Sequence, residues 1–247
     1  MSQEALPHQL FISAWWPELR ALCTYLCGWK GLPNEGCPIS VDDVEIKWLE
    51  SRRSPLAPLE FSEPSFKVTE LSLPKQSPCG KYSFLLTGIG SVSAATRVTR
   101  ALCSLPKNTE VIFLGTAGAY DSNTELGTAV LCTSTQFTDL ALCRTLSYLP
   151  EIAMQNLSLK SQLEEVNKTI CLTTTGITTD VLVAEEYAKY GDVENLELYG
   201  VARAAQEFGT TWRSYLGISN HVGPLAHLQW KENHLKAVLA AADLILR

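Results

Sequence analysis

With 247 residues, 46% of them hydrophobic and 19% charged, the chain has the size of one globular α/β domain that buries a full core without disulfides. Its 26 acidic and 20 basic side chains give a net charge of −6, which repels phosphate backbones and argues against a nucleic-acid partner. The apolar run from Ala237 to Leu246 is interrupted by Asp243 and too short to span a bilayer, and no basic n-region precedes the apolar stretch near the N-terminus. A cytoplasmic protein with no membrane partner is expected.

The elements follow in chain order. Gln9 to Ala14 reads as a buried strand ending at Trp15-Trp16-Pro17, and a helix begins around Glu18 and runs through Leu19, Leu22 and Leu26. Cys23 and Cys27 share helical i,i+4 spacing, which suits either packing or a metal, but no His stands near. Most of the eight cysteines lie in apolar segments such as Leu131-Cys132 and Cys171-Leu172, as reduced core residues do, and no metal is expected. From about residue 28 to 80 the texture changes to loops and short strands, with seven of the twelve prolines.

Beyond Gly80, strands and helices alternate. Strands are expected at Tyr82 to Thr87, Glu110 to Gly115, Thr128 to Thr133 and Thr211 to Ile218. Helices are expected at Ser91 to Cys103 with Ser91 as N-cap, Asp180 to Tyr190, Asn195 to Phe208 and Trp230 to Leu246. The last places Leu235, Val238, Leu239, Ala242 and Ile245 on one face. The pattern predicts a single domain over 1–247, a three-layer α/β/α sandwich around a mixed sheet. Ligands in such folds sit beyond the carboxyl ends of strands, which singles out the loops after Ala14, Thr87, Gly115 and Ile218.

Those loops hold the candidate site. Gly88-Ile89-Gly90 fits either a tight strand-to-helix turn or a ligand-facing loop, because it lacks the third glycine of a dinucleotide fingerprint. Gly115-Thr116-Ala117-Gly118 is a second small-residue segment, open to a tight crossover or to close backbone approach by a ligand. Glu18 and Glu197 each fit two roles, a first-turn carboxylate complementing a helix dipole or a half-buried general base or charge stabiliser. Asn220 fits a turn, or a paired donor and acceptor that reads a base edge.

In order and spacing these segments resemble the nucleoside phosphorylase/nucleosidase superfamily, and within it the futalosine hydrolases and the methylthioadenosine/S-adenosylhomocysteine nucleosidases. The resemblance spans Leu10 to Arg247 apart from residues 28–80. It rests on Ala14-Trp15-Trp16-Pro17-Glu18, on Thr87 to Ala95, on Gly115 to Gly118, on Val193-Glu194-Asn195-Leu196-Glu197 and on Gly217-Ile218-Ser219-Asn220. Leu196 stands where the futalosine hydrolases usually carry Met.

The resemblance implies roles. Glu18 activates the attacking water, Glu197 holds the ribose hydroxyls, and Ile89 and Gly90 face the 5′ side of the sugar, with Thr116 near its face. Leu196 and Ser219 line the pocket, backbone groups of 176–179 complete the base site, and Trp230 closes over the 5′ substituent. His221 and Leu225-Ala226-His227 replace a Tyr and a basic residue, leaving His227 as the candidate to meet the substrate's tail. Asn220, where adenine-releasing relatives have Asp, matches a 6-oxopurine by donating to O6 and accepting from N7–H. Phosphorylases place an Arg three residues before Thr116, and here that residue is Phe113, which favours water as nucleophile. The resemblance thus implies hydrolysis of futalosine to hypoxanthine, a purine nucleoside-like substrate and water as partners, no cofactor and a homodimer. An adenine-releasing nucleosidase and a non-catalytic nucleoside-binding protein are the alternatives.

Overall fold

In a computed structural model of the chain, the described residues are 8–15, 18–19, 82–150, 157–158 and 169–246. The expected helix beyond Leu19, the proline-rich stretch and the Cys23/Cys27 pair lie outside them. The elements are β1 (His8–Ser13), β2 (Tyr82–Leu86), α1 (Ser91–Leu102), β3 (Thr109–Ala119), β4 (Ala129–Phe137), α2 (Leu140–Cys143), β5 (Leu157–Ser158), β6 (Thr169–Thr173), α3 (Val181–Tyr187), β7 (Val193–Glu194), α4 (Leu198–Glu207), β8 (Trp212–His221) and α5 (Ala226–Leu246). One mixed sheet joins all eight strands. Its path runs β2-β1-β3-β7-β6-β4-β5, and β8 pairs with both β3 and β4, so five strands close on themselves while β1 and β2 extend one side.

β3 explains why the sheet is buried on both faces. Val111, Phe113 and Ala117 point into a core with α1 and α4, through Ala94, Val98, Val201 and Ala205. Ile112 and Leu114 point the other way, against Val238, Ala241 and Ala242 of α5. That alternation is the period-two geometry of a strand with helices on either side. It yields three layers, helix, sheet and helix, as the sequence pattern predicts.

Four local expectations are corrected. β3 and β8 do not end at Gly115 and Ile218 but continue to Ala119 and His221, so Thr116 and Asn220 stand on strands rather than in loops. The two strands pair along this extension, which supplies the backbone partners that a loop would lack. Ser91 is the first helical residue, not the cap; Gly90 holds that position at φ 94°, a region a side chain strains to enter. α4 begins at Leu198, because the Asn195 side chain, two residues before the cap position, takes the N–H groups of Glu197 and Leu198 at 2.9 and 2.8 Å. On α5 the buried face is Ala237, Val238, Ala241 and Ala242, whereas Leu235 and Leu239 are 57% and 47% exposed. The helix lies so close to β8 at Gly217 that only small residues fit between them.

The short elements α2, β5, β6 and β7 have no counterpart among the expected elements. Phe113 is fully buried among the residues of the larger core. Phe113→Ala should therefore lower unfolding free energy by about 3–5 kcal/mol in urea titration. A loss below about 1 kcal/mol would contradict its place in the core.

Candidate active site

Thr116 is where the elements around the site meet. Its backbone N–H and its hydroxyl both donate to Glu18 Oε1, at 3.2 and 3.1 Å. Its carbonyl accepts from Asn195 Nδ2 at 3.0 Å, which ties the segment before α4 to β3. The hydroxyl oxygen also accepts from Trp230 Nε1 of α5 at 3.2 Å. Continuation of β3 past Gly115 is what carries this residue into the cleft.

Glu18 is 4% exposed, and its other oxygen accepts from Ser13 Oγ at 2.6 Å. Burial pushes its carboxyl up to about 7, and the hydrogen bonds from Ser13 and Thr116 oppose that rise without cancelling it. Glu197, 5% exposed, accepts from the Gly90 N–H at 2.8 Å. Burial raises it to about 7 as well; the Gly90 bond pulls it down, and the charge of Glu18 pushes it up again. The Gly88–Gly90 turn thus presents a backbone donor to a carboxylate on a distant element. Thr87 and Gly88 are held in turn by the carbonyls of Ser13 and Ala14.

Both carboxylates line one cleft of about 200 Å³. Ile89, Thr116, Leu196, Ser219, Asn220, His227 and Trp230 line it too, so the structure brings together nearly every residue singled out from the sequence. Gly90 is the exception; it acts from behind, through its bond to Glu197. Trp230 stacks between His227 and His234, with ring centroids 6.0 and 4.7 Å away, and meets Trp15 at 5.5 Å. Of the loop 176–179, Ile177 reaches the cleft. No Lys or Arg lines the cleft among the described residues, and no cluster of three or more metal-ligating side chains occurs among them. No helix among them is long and apolar enough to cross a membrane.

Asn220 owes its aim to a bulge. Ala117 pairs with Ile218 but Gly118 pairs with Asn220, so Ser219 is the extra residue. The Ser219 hydroxyl lies 2.8 Å from Asn220 Oδ1, and Asn220 Nδ2 donates to the His221 carbonyl at 3.2 Å. One amide hydrogen and one carbonyl lone pair stay available to the cleft.

Two residues escaped the sequence reading. Asn195 braces Glu197 as described, and an Asn two residues before a helix cap position was the available signal. Glu194 also lines the cleft. It accepts from Thr178 N at 2.9 Å, Thr178 Oγ1 at 2.6 Å and Tyr120 OH at 3.2 Å. Burial raises its carboxyl, and those donors lower it. It stands in the same five-residue motif as Glu197, which drew attention away from it.

Chemically, the cleft offers two buried carboxylates that titrate near neutrality. One can accept a proton, and together they favour a cation in the cleft.

The sequence profile of the phosphorylase superfamily matches residues 78–247. No curated protein matches the sequence significantly. Among solved structures, the chain is similar to a 5′-methylthioadenosine/S-adenosylhomocysteine nucleosidase from Helicobacter pylori, with a TM-score of 0.71, 12% identity and coverage of 98% and 97% of the two chains. It is similar in the same degree to a futalosine hydrolase mutant from Helicobacter pylori, again with a TM-score of 0.71, 12% identity and coverage of 98% and 97%. A Neisseria meningitidis 5′-methylthioadenosine/S-adenosylhomocysteine nucleosidase in complex with methylthio-immucillin-A follows, with a TM-score of 0.66, 14% identity and 97% of each chain covered. At such identities the likeness carries the fold.

The raised carboxyls have a measurable consequence. A group whose folded-state value lies above the ordinary 4.5 contributes stability that is complete below that value and is lost as pH rises through about 7. Glu197→Gln removes this dependence. The variant should unfold at higher temperature than wild type at alkaline pH, by the equivalent of up to about 3 kcal/mol, and the gap should close near pH ~5. A variant less stable than wild type by several kcal/mol at every pH would mark Glu197 as structural.

Proposed function

The chain belongs to the phosphorylase superfamily, and from that premise we propose that it is a nucleoside hydrolase, using water to break the N-glycosidic bond of a purine ribosyl compound. The observation that carries this reading is the pair of buried carboxylates, Glu18 and Glu197, raised to about 7 in one cleft. A site that crowds negative charge in low dielectric matches a positive charge that forms during reaction.

In the proposed reaction the C1′–N9 bond breaks, and its electron pair leaves with the base. Glu197 accepts from the ribose hydroxyls and its charge stabilises the developing ribosyl cation. Glu18, held by Ser13 and Thr116, takes a proton from a water whose oxygen bonds to C1′. The departing base gains its proton from water or another group, since the Asn220 amide donates hydrogen bonds but does not release a proton. Water rather than phosphate is favoured because Phe113 fills the core where the superfamily's phosphorylases carry a guanidinium, and no described cation lines the cleft.

We assign the base as a 6-oxopurine and the substrate as futalosine, releasing hypoxanthine. The support is Asn220, whose available hydrogen and lone pair suit O6 and N7–H together. The two Helicobacter pylori structures resemble the chain equally, so their likeness does not weigh on this choice. Ile89, Leu196, Trp230 and His227 are assigned to the sugar and its 5′ substituent, with Gly90 holding Glu197 and Ser219 orienting Asn220. We also assign a homodimer, supported by the exposed apolar side chains of Ile89 and Ile177 beside the cleft.

Purified protein incubated with futalosine, its 6-amino form and methylthioadenosine should release hypoxanthine from the first fastest; release of adenine alone would overturn the base assignment. Added phosphate should neither accelerate cleavage nor yield a sugar 1-phosphate. Glu18→Gln should abolish turnover while substrate still binds by calorimetry, because the base acts only in the chemical step. Asn220→Asp should lower kcat/KM for futalosine by about 10-fold or more through loss of the donor to O6, and penalise the 6-amino form less. An unchanged ratio between the two substrates would remove Asn220 from base selection.

A further inference from the structure

His227, Trp230 and His234 follow one another at spacings of three and four, so they share one face of α5. Within their stack His234 lies closest to the indole, with ring centroids 4.7 Å apart and 20° from parallel. Trp15, just past the end of β1, rests against both rings, 5.5 Å from Trp230 and 6.1 Å from His234. Trp15, His227 and Trp230 line the cleft, and His234 backs the stack without lining it.

The His234 ring is tethered. Its Nδ1 lies 3.0 Å from the Trp230 carbonyl and 3.2 Å from that of Lys231. Carbonyl oxygens accept, so this nitrogen carries a hydrogen and ties the imidazole to the backbone of the residue whose indole it covers. The indole N–H goes to Thr116 Oγ1 at 3.2 Å. An indole nitrogen donates and does not accept, so it occupies a lone pair of the Thr116 hydroxyl. The single hydrogen of that hydroxyl then points to Glu18 Oε1, 3.1 Å away. Trp15 donates to the same carboxyl. Both tryptophans that His234 touches therefore end at Glu18, one directly and one through Thr116. Thr116 is only partly buried, so without the indole its hydroxyl is free to turn to water.

We propose that His234 and Trp230 are positioning residues for Glu18. The imidazole keeps the indole in place, and the indole N–H turns the Thr116 hydroxyl toward the carboxylate that takes the proton from water. The inference rests on the hydrolase reading above and gives Trp230 a second task beside covering the 5′ substituent. Among the described residues, the other titratable groups around this arrangement are Glu194, Glu197 and His227 in the cleft and Lys231 three residues before His234.

The test compares Trp230→Phe, which keeps a flat ring but has no N–H, with Thr116→Val and the double variant. Each single change should lower kcat on the cleaved nucleoside by about 10-fold with KM little altered. The double variant should be no slower than Thr116→Val alone, because the indole acts through the hydroxyl. The acid limb of kcat should move to higher pH, since a carboxylate with one donor fewer holds its proton more tightly. His234→Ala should move the limb in the same direction, and His234→Phe, which restores a stacked ring, should bring it back. Additive losses with an unmoved limb would make Trp230 a wall of the cleft and overturn the proposal. A readout independent of turnover is carbon-13 NMR titration of labelled glutamate carboxyls, with the Glu18 signal identified by its loss in Glu18→Gln. Its midpoint should rise in Trp230→Phe, and an unmoved midpoint overturns the proposal. If that variant does not fold, the same titration of His234→Ala decides. A risen midpoint in a protein that releases no base from any purine nucleoside would sink the hydrolase reading and leave the orientation of Glu18 standing.

Discussion

The hydroxyl and peptide group of Thr116 hold the site in register. An ionisable carboxyl as buried as Glu18 survives only if donors meet it, and Thr116 supplies two of them from one residue. The same residue accepts from Asn195, which fixes the entry to α4 and so the carboxylate of Glu197, and from Trp230, which fixes α5. Three separate parts of the chain are therefore referenced to one point on β3. That point must lie on a strand, because a residue paired to a neighbouring strand, as Thr116 is to Gly217 of β8, moves less than a loop tip.

Burying two carboxyls in one cleft is destabilising in itself. Each is raised chiefly by burial, and Glu197 is raised further by the charge of Glu18. The donors around them are too few to return either to its ordinary value. Strain of this kind persists where the surrounding packing over-determines the geometry, here the two cores on either side of β3. In the proposed reaction a ribosyl cation relieves it.

Much of the site was legible because the chemistry sits at strand ends, where an α/β pattern says to look. Glu18, Thr116, Glu197 and Asn220 stood out by type and position, and the structure gathers them in one cleft. Glu194 did not stand out, because β7 is two residues long and carries no periodic signal of its own. Its place beside the cleft comes with its pairing to Gly118, a long-range contact that composition cannot reveal. The face of α5 was misjudged for a related reason. Hydrophobicity favours Leu235 and Leu239, but close approach to Gly217 favours the alanines, and steric fit won. The extension of β3 and β8 was hidden by glycines and small residues that read as turns.

The central claim is that the Glu18–Glu197 pair is built to receive a cation. Its most direct test is calorimetry of a nucleoside analogue with a cationic pyrrolidine in place of the ribose, near pH ~7, in buffers of different ionisation enthalpy. The charged ligand should displace the proton that the crowded carboxyls retain, releasing about one proton to the buffer. It should also bind at least about 100-fold more tightly than an uncharged carbocyclic counterpart. Equal affinity for the two ligands, with no proton released, would contradict the account.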